Sequence, residues 1–132
     1  MRKTLAICLF LVLCCVSGVG QTQAQWAVVW SVALFNQSSP INRTVAFTPT
    51  EDGVYRLSCA MSGRGSNNNY NFQMYWALPD GGIGEYALIP GANVMLVFMP
   101  KASVPVIYYV VGSQGTGTYN LGCTVEQLQN SN

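Results

Sequence analysis

The chain has 132 residues, of which six are Lys or Arg, five are Asp or Glu, and none is His. Because the formal net charge is only +1, the chain lacks a concentrated positive field, and this excludes nucleic acid as a partner. The lack of histidine removes the usual general base and the most common transition-metal ligand, so we expect no enzymatic activity, no metal and no cofactor.

Residues 1–24 have the pattern of a secretory signal peptide. Arg2 and Lys3 precede an apolar run at 5–16, and small and polar residues follow it. The run is well short of the roughly 20 apolar residues that a membrane-spanning helix needs. We therefore predict cleavage of this segment and no membrane insertion of the mature chain. The mature protein is expected to be secreted, extracellular or periplasmic, with residues 25–132 forming a single domain.

The rest of the chain contains eight short β-prone segments bounded by Gly, Pro, Asn and other turn formers. Apolar residues recur with a period of two, as in half-buried strands, and no segment has a convincing helical period. The predicted strands are 26–35, 45–47, 54–61, 72–78, 85–89, 93–99, 104–111 and 118–128. This series predicts an antiparallel β-sandwich. Pro105 within the seventh segment predicts an edge strand or a bulge, because proline has no N–H for a ladder.

Three of these segments are apolar on both faces, namely 26–35, 94–99 and 106–111. In the first, Trp26, Val28 and Trp30 are expected to share one face. A two-layer sandwich buries only one face of each sheet. Since monomers seldom expose large apolar patches, the second apolar face predicts an interface between subunits.

Two cysteines lie beyond the predicted signal peptide, Cys59 and Cys123. Cys59 shares a strand face with Leu57, and Cys123 shares one with Leu121, so the two cysteines meet on the core side if their strands pair. Export makes a disulfide the favoured interpretation. The alternative is two buried thiols that pack as small apolar groups.

The spacing of Phe47, Gly53, Tyr55 and Leu57 resembles a family signature. It is found in the globular head of complement's first component and its tumour-necrosis-factor-like relatives. The resemblance implies a jelly roll in which this strand lies beside the last strand of the chain, and it implies homotrimeric assembly. We expect Gly53 to adopt a positive φ where the turn enters the strand, with Tyr55 and Leu57 facing the core. The chain departs from the signature at Pro40, where the family has a large apolar residue.

The mature chain also resembles small secreted bacterial or phage-associated proteins of unassigned function. The shared segments are 47–57, 106–109, 117–121 and 125–128. This resemblance implies no catalytic residues.

An immunoglobulin-like sandwich is the alternative fold. The segment 56–63, followed by Tyr75 and Trp76, is similar to an immunoglobulin variable domain between its first cysteine and its core tryptophan. In that fold, however, a tyrosine lies two residues before the second cysteine, and Leu121 occupies that position here. We therefore predict an all-β, antiparallel β-sandwich of the jelly-roll type, with the immunoglobulin-like sandwich as the alternative.

The segment 63–71 is the candidate recognition loop. It is rich in Ser, Gly and Asn, the composition of adaptable binding loops. Arg64, Asn68 and Tyr70 are the residues predicted to contact a protein or glycan ligand.

Other polar residues carry weaker signals. Asp80 and Glu85 flank a turn, where two carboxylates could in principle serve glycoside hydrolysis, but we interpret them as solvated hairpin residues. Asn36 and Asn42 begin glycosylation sequons, which have meaning only in a eukaryotic source.

The sequence as a whole favours an exported, non-enzymatic structural or interaction module that assembles as a homotrimer. The alternative hypothesis is an immunoglobulin-like adhesion or recognition domain that binds a protein or glycan through the loop 63–71.

Overall fold

The structure, a computed structural model, describes residues 24–38, 41–64, 70–112 and 117–129. The predicted signal peptide therefore lies almost wholly outside the described residues. Eight strands are present in this part of the chain, and their bounds are β1 Gln25–Gln37, β2 Thr44–Phe47, β3 Tyr55–Arg64, β4 Tyr70–Ala77, β5 Ile83–Leu88, β6 Asn93–Phe98, β7 Val106–Gly112 and β8 Thr118–Gln129.

The strands form two antiparallel four-stranded sheets. Sheet I has the order β1-β8-β3-β6, and sheet II has the order β2-β7-β4-β5. The first strand pairs with the last, the second with the seventh, the third with the sixth and the fourth with the fifth. The chain is thus one long hairpin, rolled so that β8 also meets β3 and β7 also meets β4. This is the connectivity of a jelly roll, and it confirms the predicted fold class.

The pairing of β3 with β8 brings the two cysteines together. Cys59 lies directly opposite Cys123 in the register, and the two form a disulfide. Both residues are buried on the core side. The disulfide joins neighbouring strands of one sheet, whereas the immunoglobulin disulfide joins two sheets. The disulfide prediction is confirmed, and the immunoglobulin-like alternative is wrong.

The core lies between the inner faces of the two sheets. On β3, β4, β7 and β8 every second side chain is buried, as the period-two pattern predicts. The buried apolar side chains are Tyr55, Leu57, Cys59, Met61, Tyr70, Phe72, Met74, Trp76, Leu88, Phe98, Val106, Tyr108, Val110, Tyr119, Leu121, Cys123 and Val125. Aromatic rings bridge the sheets, as where Trp30 of sheet I meets Tyr108 of sheet II with ring centroids 5.2 Å apart.

A β-bulge in β1 changes which of its side chains face the core. The register against β8 shifts between Val28 and Trp30, so that Val28 pairs with Glu126 and Trp30 with Val125. Trp30 therefore packs against the core while Val28 is exposed. The prediction that these two residues share a face is wrong, because the extra residue of a bulge reverses the alternation.

Two expectations about the backbone are also corrected. β7 begins at Val106, directly after Pro105, and it lies between β2 and β4 rather than at an edge, while the register of β2 against its first residues shifts between Val45 and Phe47. Proline is accommodated there because it precedes the ladder. Among the described glycines, only Gly81 and Gly91 have a positive φ, so Gly53 does not adopt the left-handed conformation expected of it.

Candidate interaction surfaces

The structure changes the interpretation of the predicted recognition loop. β3 extends to Arg64 and β4 begins at Tyr70, so the predicted loop is shorter at both ends. Asn68 and the side chain of Arg64 lie outside the described residues, and the proposed binding by this loop stays a prediction.

Tyr70, by contrast, is a core residue. It is only 3% exposed, and its ring packs against Tyr119 at a centroid distance of 4.8 Å. Its hydroxyl lies 3.1 Å from the carbonyl oxygen of Ser38 and 3.0 Å from that of Gly117. A Cβ atom at Gly112 would overlap the Tyr70 ring. Tyr70 is therefore a structural residue, and its prediction as an exposed contact is wrong.

Two aspartates support turns and loops of the sandwich. The carboxylate of Asp80 accepts a hydrogen bond from the backbone N–H of Gly82 at 3.0 Å, within the β4–β5 turn. The carboxylate of Asp52 accepts one from the backbone N–H of Ala102 at 2.6 Å. Within the described parts of the chain, there is no group of three or more Cys, Asp or Glu side chains placed to hold a metal ion.

The outer face of sheet I is flat and apolar at its centre. Ala33, Gly122 and Ala60 lie side by side on three neighbouring strands and are all exposed. Phe35 stands on one side of this floor and Met95 on the other, and their side chains are 69% and 64% exposed. Small side chains between two large ones form a shallow trough, which we call the sheet I trough.

Gly122 has no packing reason to be glycine within the single chain. A Cβ atom at this position would meet nothing within 4 Å, and its φ is not positive. Glycine inside a strand is less favourable than alanine and often marks the close approach of another backbone or a ligand. The open space above Gly122 would therefore allow the surface of another molecule to approach the strand backbone closely.

The charged residues on the same face neutralise each other. Arg56 lies opposite Glu126 in the register and forms an ion pair with it, with Nη2 and Oε2 2.6 Å apart. The guanidinium also stacks on Trp26, 4.4 Å from its ring centroid. The exposed side chains of Val28 and Val97 flank this pair on the two edge strands of the sheet.

The outer face of sheet II has a different character. A groove of about 390 Å³ crosses its central strands, and we call it the sheet II groove. Its lining residues are Arg43, Tyr75, Trp76, Ala77, Ile83, Val104, Pro105, Ile107 and Tyr109. Tyr75 and Tyr109 stack with their rings nearly parallel, 3° apart in plane and 5.3 Å apart between centroids.

A chain of hydrogen bonds fixes these two tyrosines. The Tyr109 hydroxyl donates to the Tyr75 oxygen at 2.9 Å, and the Tyr75 hydroxyl donates to the Glu85 carboxylate at 2.8 Å. The hydrogen bonds with Tyr109 and Glu85 raise the pKa of Tyr75, as does the negative charge of that carboxylate. Tyr75 is therefore a neutral phenol throughout the physiological pH range.

Sequence reasoning did not find the Tyr75–Tyr109–Glu85 cluster. In the period-two pattern of its own strand, each tyrosine occupies a position that faces outward. The sequence therefore indicates for each tyrosine that it lies on the outer face, but not that the two are neighbours. Their meeting depends on the registers of β4 with β5 and with β7, which place Tyr75 opposite Glu85 and Tyr109 opposite Gln73. Register is set by turns and by packing over the whole sheet, and it is not visible in one strand.

Neither a protein-family model nor any curated protein sequence matches this chain. Among solved structures, the chain is similar to the PRD1 vertex protein P5, with a TM-score of 0.52 and 9% sequence identity over 81% of this chain and 99% of that one. It is also similar to a chain from Bacillus endospore appendages, a family of disulfide-linked pili, with a TM-score of 0.46 and 10% identity over 81% of this chain and 92% of that one. At these identities the likeness concerns the fold alone, and the pilus comparison is too loose to carry an argument.

Proposed function

We propose that this protein is an exported, non-enzymatic structural module that assembles as a homotrimer. In this proposal residues 1–24 are removed as a signal peptide and residues 25–132 form the single mature domain. The observation that carries the proposal is the sheet I trough with its exposed apolar surroundings.

The apolar residues around the trough support self-association. Val28, Phe35, Met95 and Val97 are each more than half exposed on the outer face of one sheet. A soluble monomer seldom leaves several large apolar side chains exposed on one sheet face, and burying them stabilises an assembly by roughly 25 cal/mol per Å². The paired charges of Arg56 and Glu126 add no net charge that would repel a second copy.

The shape of the same face offers two different elements for contact between copies. Phe35 and Met95 project beside a floor made of Ala60 and Gly122, so one copy presents both a projecting and a receiving element. A ring of three identical subunits uses a contact of this kind, in which one element of each copy meets the other element of the next. A trimer is the number that the resemblance to the complement and tumour-necrosis-factor-like heads implies. The similarity in fold to a vertex protein, PRD1 P5, agrees with a structural use of this jelly roll.

A matched pair of substitutions tests the assembly. Ala60 and Ala87 are both exposed alanines in strands, the first in the sheet I trough and the second on the outer face of sheet II. We expect the purified protein to have the mass of a trimer by multi-angle light scattering at micromolar concentration. Ala60→Trp should give a folded monomer because the indole fills the trough, while Ala87→Trp should remain a trimer.

Near-ultraviolet circular dichroism and a thermal melt show whether each variant is folded before its mass is interpreted. A monomeric wild-type protein would overturn the assembly proposal. A trimer that is unaffected by Ala60→Trp but dissociated by Ala87→Trp would move the interface to sheet II.

Export is tested separately, by the intact mass and N-terminal sequence of the protein recovered outside the cytoplasm. The expected N-terminus is Gln25. Recovery of the full-length chain from the cytoplasm alone would contradict the signal-peptide prediction and would leave the assembly test unchanged.

A further inference from the structure

The sheet II groove lies on the opposite side of the sandwich from the sheet I trough, and it combines an apolar floor with ordered polar groups. Ile107 and Ala77 lie on neighbouring central strands, and Ile83 and the tyrosine pair border them. Ile83 is 77% exposed, so the apolar surface is open to solvent. Such a surface beside convergent polar groups is the usual composition of a small-molecule site.

The tyrosine pair gives the groove a rigid aromatic wall. Stacking and the hydrogen-bond chain fix the rings of Tyr75 and Tyr109, so that little side-chain freedom remains to be lost when a ligand binds. The face of an aromatic ring is electron-rich and attracts polarised C–H groups as well as cations. A ligand with an apolar, C–H-bearing face would therefore stack on this wall.

The polar groups still have capacity for a ligand. Glu85 uses one carboxylate oxygen to accept from Tyr75, and Tyr109 donates its proton and keeps its oxygen lone pairs. The exposed Arg43 forms no ion pair and no hydrogen bond with any residue that the structure describes. The groove thus presents an acceptor at Tyr109 and donors at Arg43, and the Glu85 carboxylate lies beside it on β5, opposite Tyr75.

The charges around the groove favour a neutral ligand, because one arginine and one carboxylate cancel. The ligand must have both hydroxyl donors and acceptors, together with a flat C–H face. An extended peptide fits less well, since the groove lies over β4 and β7, which are hydrogen-bonded to neighbours on both sides. No free strand edge is available there for main-chain pairing.

We propose that the sheet II groove binds a neutral oligosaccharide, with one pyranose ring stacked on an outer face of the Tyr75–Tyr109 stack. The ring presents its C–H face to the aromatic wall and its hydroxyl groups to Glu85, Tyr109 and Arg43. This inference is independent of the trimer proposal, because the groove and the trough lie on opposite sheets.

Titration of the purified protein with cellohexaose, maltohexaose and chitohexaose, followed by heteronuclear NMR, tests the proposal. We expect at least one of these neutral hexasaccharides to shift resonances of Tyr75, Ile107 and Tyr109 while those of the sheet I trough stay unchanged. Oligogalacturonate serves as the anionic comparison and is expected to bind more weakly.

Two variants and a matched control locate the site. Tyr109→Ala removes half of the aromatic wall and should weaken binding about fivefold or more. Tyr75→Phe keeps the aromatic ring but removes the hydroxyl that links Tyr109 to Glu85. It therefore tests the contribution of these hydrogen bonds alone, and it should weaken binding by a smaller factor than Tyr109→Ala. Ile89→Ala removes an exposed apolar side chain that lines neither the groove nor the trough, and it should leave the affinity unchanged.

Three outcomes would overturn the proposal. They are no resonance shift with any neutral hexasaccharide, tighter binding of the anionic oligomer, and equal affinity of folded Tyr109→Ala and wild-type protein. None of them bears on the mass measured for the assembly, so the two proposals fail separately.

Discussion

At the scale of single residues, two glycines in strands are required by the aromatic rings beside them. A Cβ atom at Gly84 would overlap the indole of Trp76, and one at Gly112 would overlap the ring of Tyr70. Trp76 and Tyr70 are both buried. The two rings therefore occupy the space that a Cβ atom at each glycine would need. An added methyl group would be destabilising because the tightly packed rings would have to move.

Gly84→Ala is expected to destabilise the protein by about 1–3 kcal/mol, because the added methyl group forces the Trp76 ring from its position. Gly53→Ala is the matched control. A Cβ there would lie 3.7 Å from the Tyr55 ring, an ordinary contact, so its effect should stay within about 0.5 kcal/mol. Urea unfolding monitored by tryptophan fluorescence measures both, at one protein concentration.

A loss on Gly53→Ala as large as that on Gly84→Ala would show that Gly53 needs a backbone conformation closed to alanine. That result would restore the expectation drawn from the family signature.

At the scale of elements, the contact between β3 and β8 holds the sheet I strands in register. The disulfide joins Cys59 and Cys123 at the middle of the pairing, and the ion pair between Arg56 and Glu126 lies on the opposite face. The ion pair is partly exposed and contributes roughly 0.5 kcal/mol or less. The disulfide closes a loop across a sequence separation of 64 and restricts the unfolded chain far more strongly.

Replacing both cysteines with alanine should lower the free energy of unfolding by about 4 kcal/mol, the value that chain entropy gives for a loop of this length. Because the two residues are paired through the backbone of β3 and β8 as well, we expect the variant to keep its far-ultraviolet circular dichroism spectrum. Denaturant unfolding of the variant and of wild type with and without reductant measures the effect. A loss below about 1 kcal/mol would mean that the disulfide adds little to what the strand pairing already provides.

At the scale of the whole molecule, the core is unusually rich in tyrosine. Tyr55, Tyr108 and Tyr119 are almost fully buried. Burial raises the pKa of each above its ordinary value of 10.0, and the charges of Glu51 and Asp52 add to the effect at Tyr55. The phenols can remain inside only while they are neutral.

Stability should therefore fall at alkaline pH. Since the folded pKa values are raised, the folded state retains protons that the unfolded chain releases above pH 10.0. The contribution is complete below that pH and is lost as pH rises through the folded pKa values. Denaturant unfolding at a series of pH values, together with tyrosinate absorbance, measures this loss.

Tyr108→Phe keeps the ring that packs against Trp30 and removes one titrating group. It should reduce the slope of stability against alkaline pH, and recovery of the native signal at neutral pH shows that the unfolding is reversible. A slope that is unchanged by Tyr108→Phe would show that other groups control alkaline unfolding.

The amino-acid sequence by itself determined the strands, the β-sandwich class and the core-side positions of the two cysteines in their strands. These follow from local alternation and from turn residues, which depend on neighbours close in the chain. The jelly-roll type was implied by the resemblance of Phe47, Gly53, Tyr55 and Leu57 to a family signature. The sequence also indicated that the segments 26–35 and 94–99 would leave apolar surface exposed, although it did not show which of their residues share a face.

Only the tertiary structure decided which residues share a surface. The bulge after Val28 reversed the faces of β1, and the packing around Tyr70 drew that residue into the core. The sheet I trough and the sheet II groove both depend on which strands are neighbours and in what register. That information resides in contacts between residues far apart in the chain, because turn geometry and core packing select the register together.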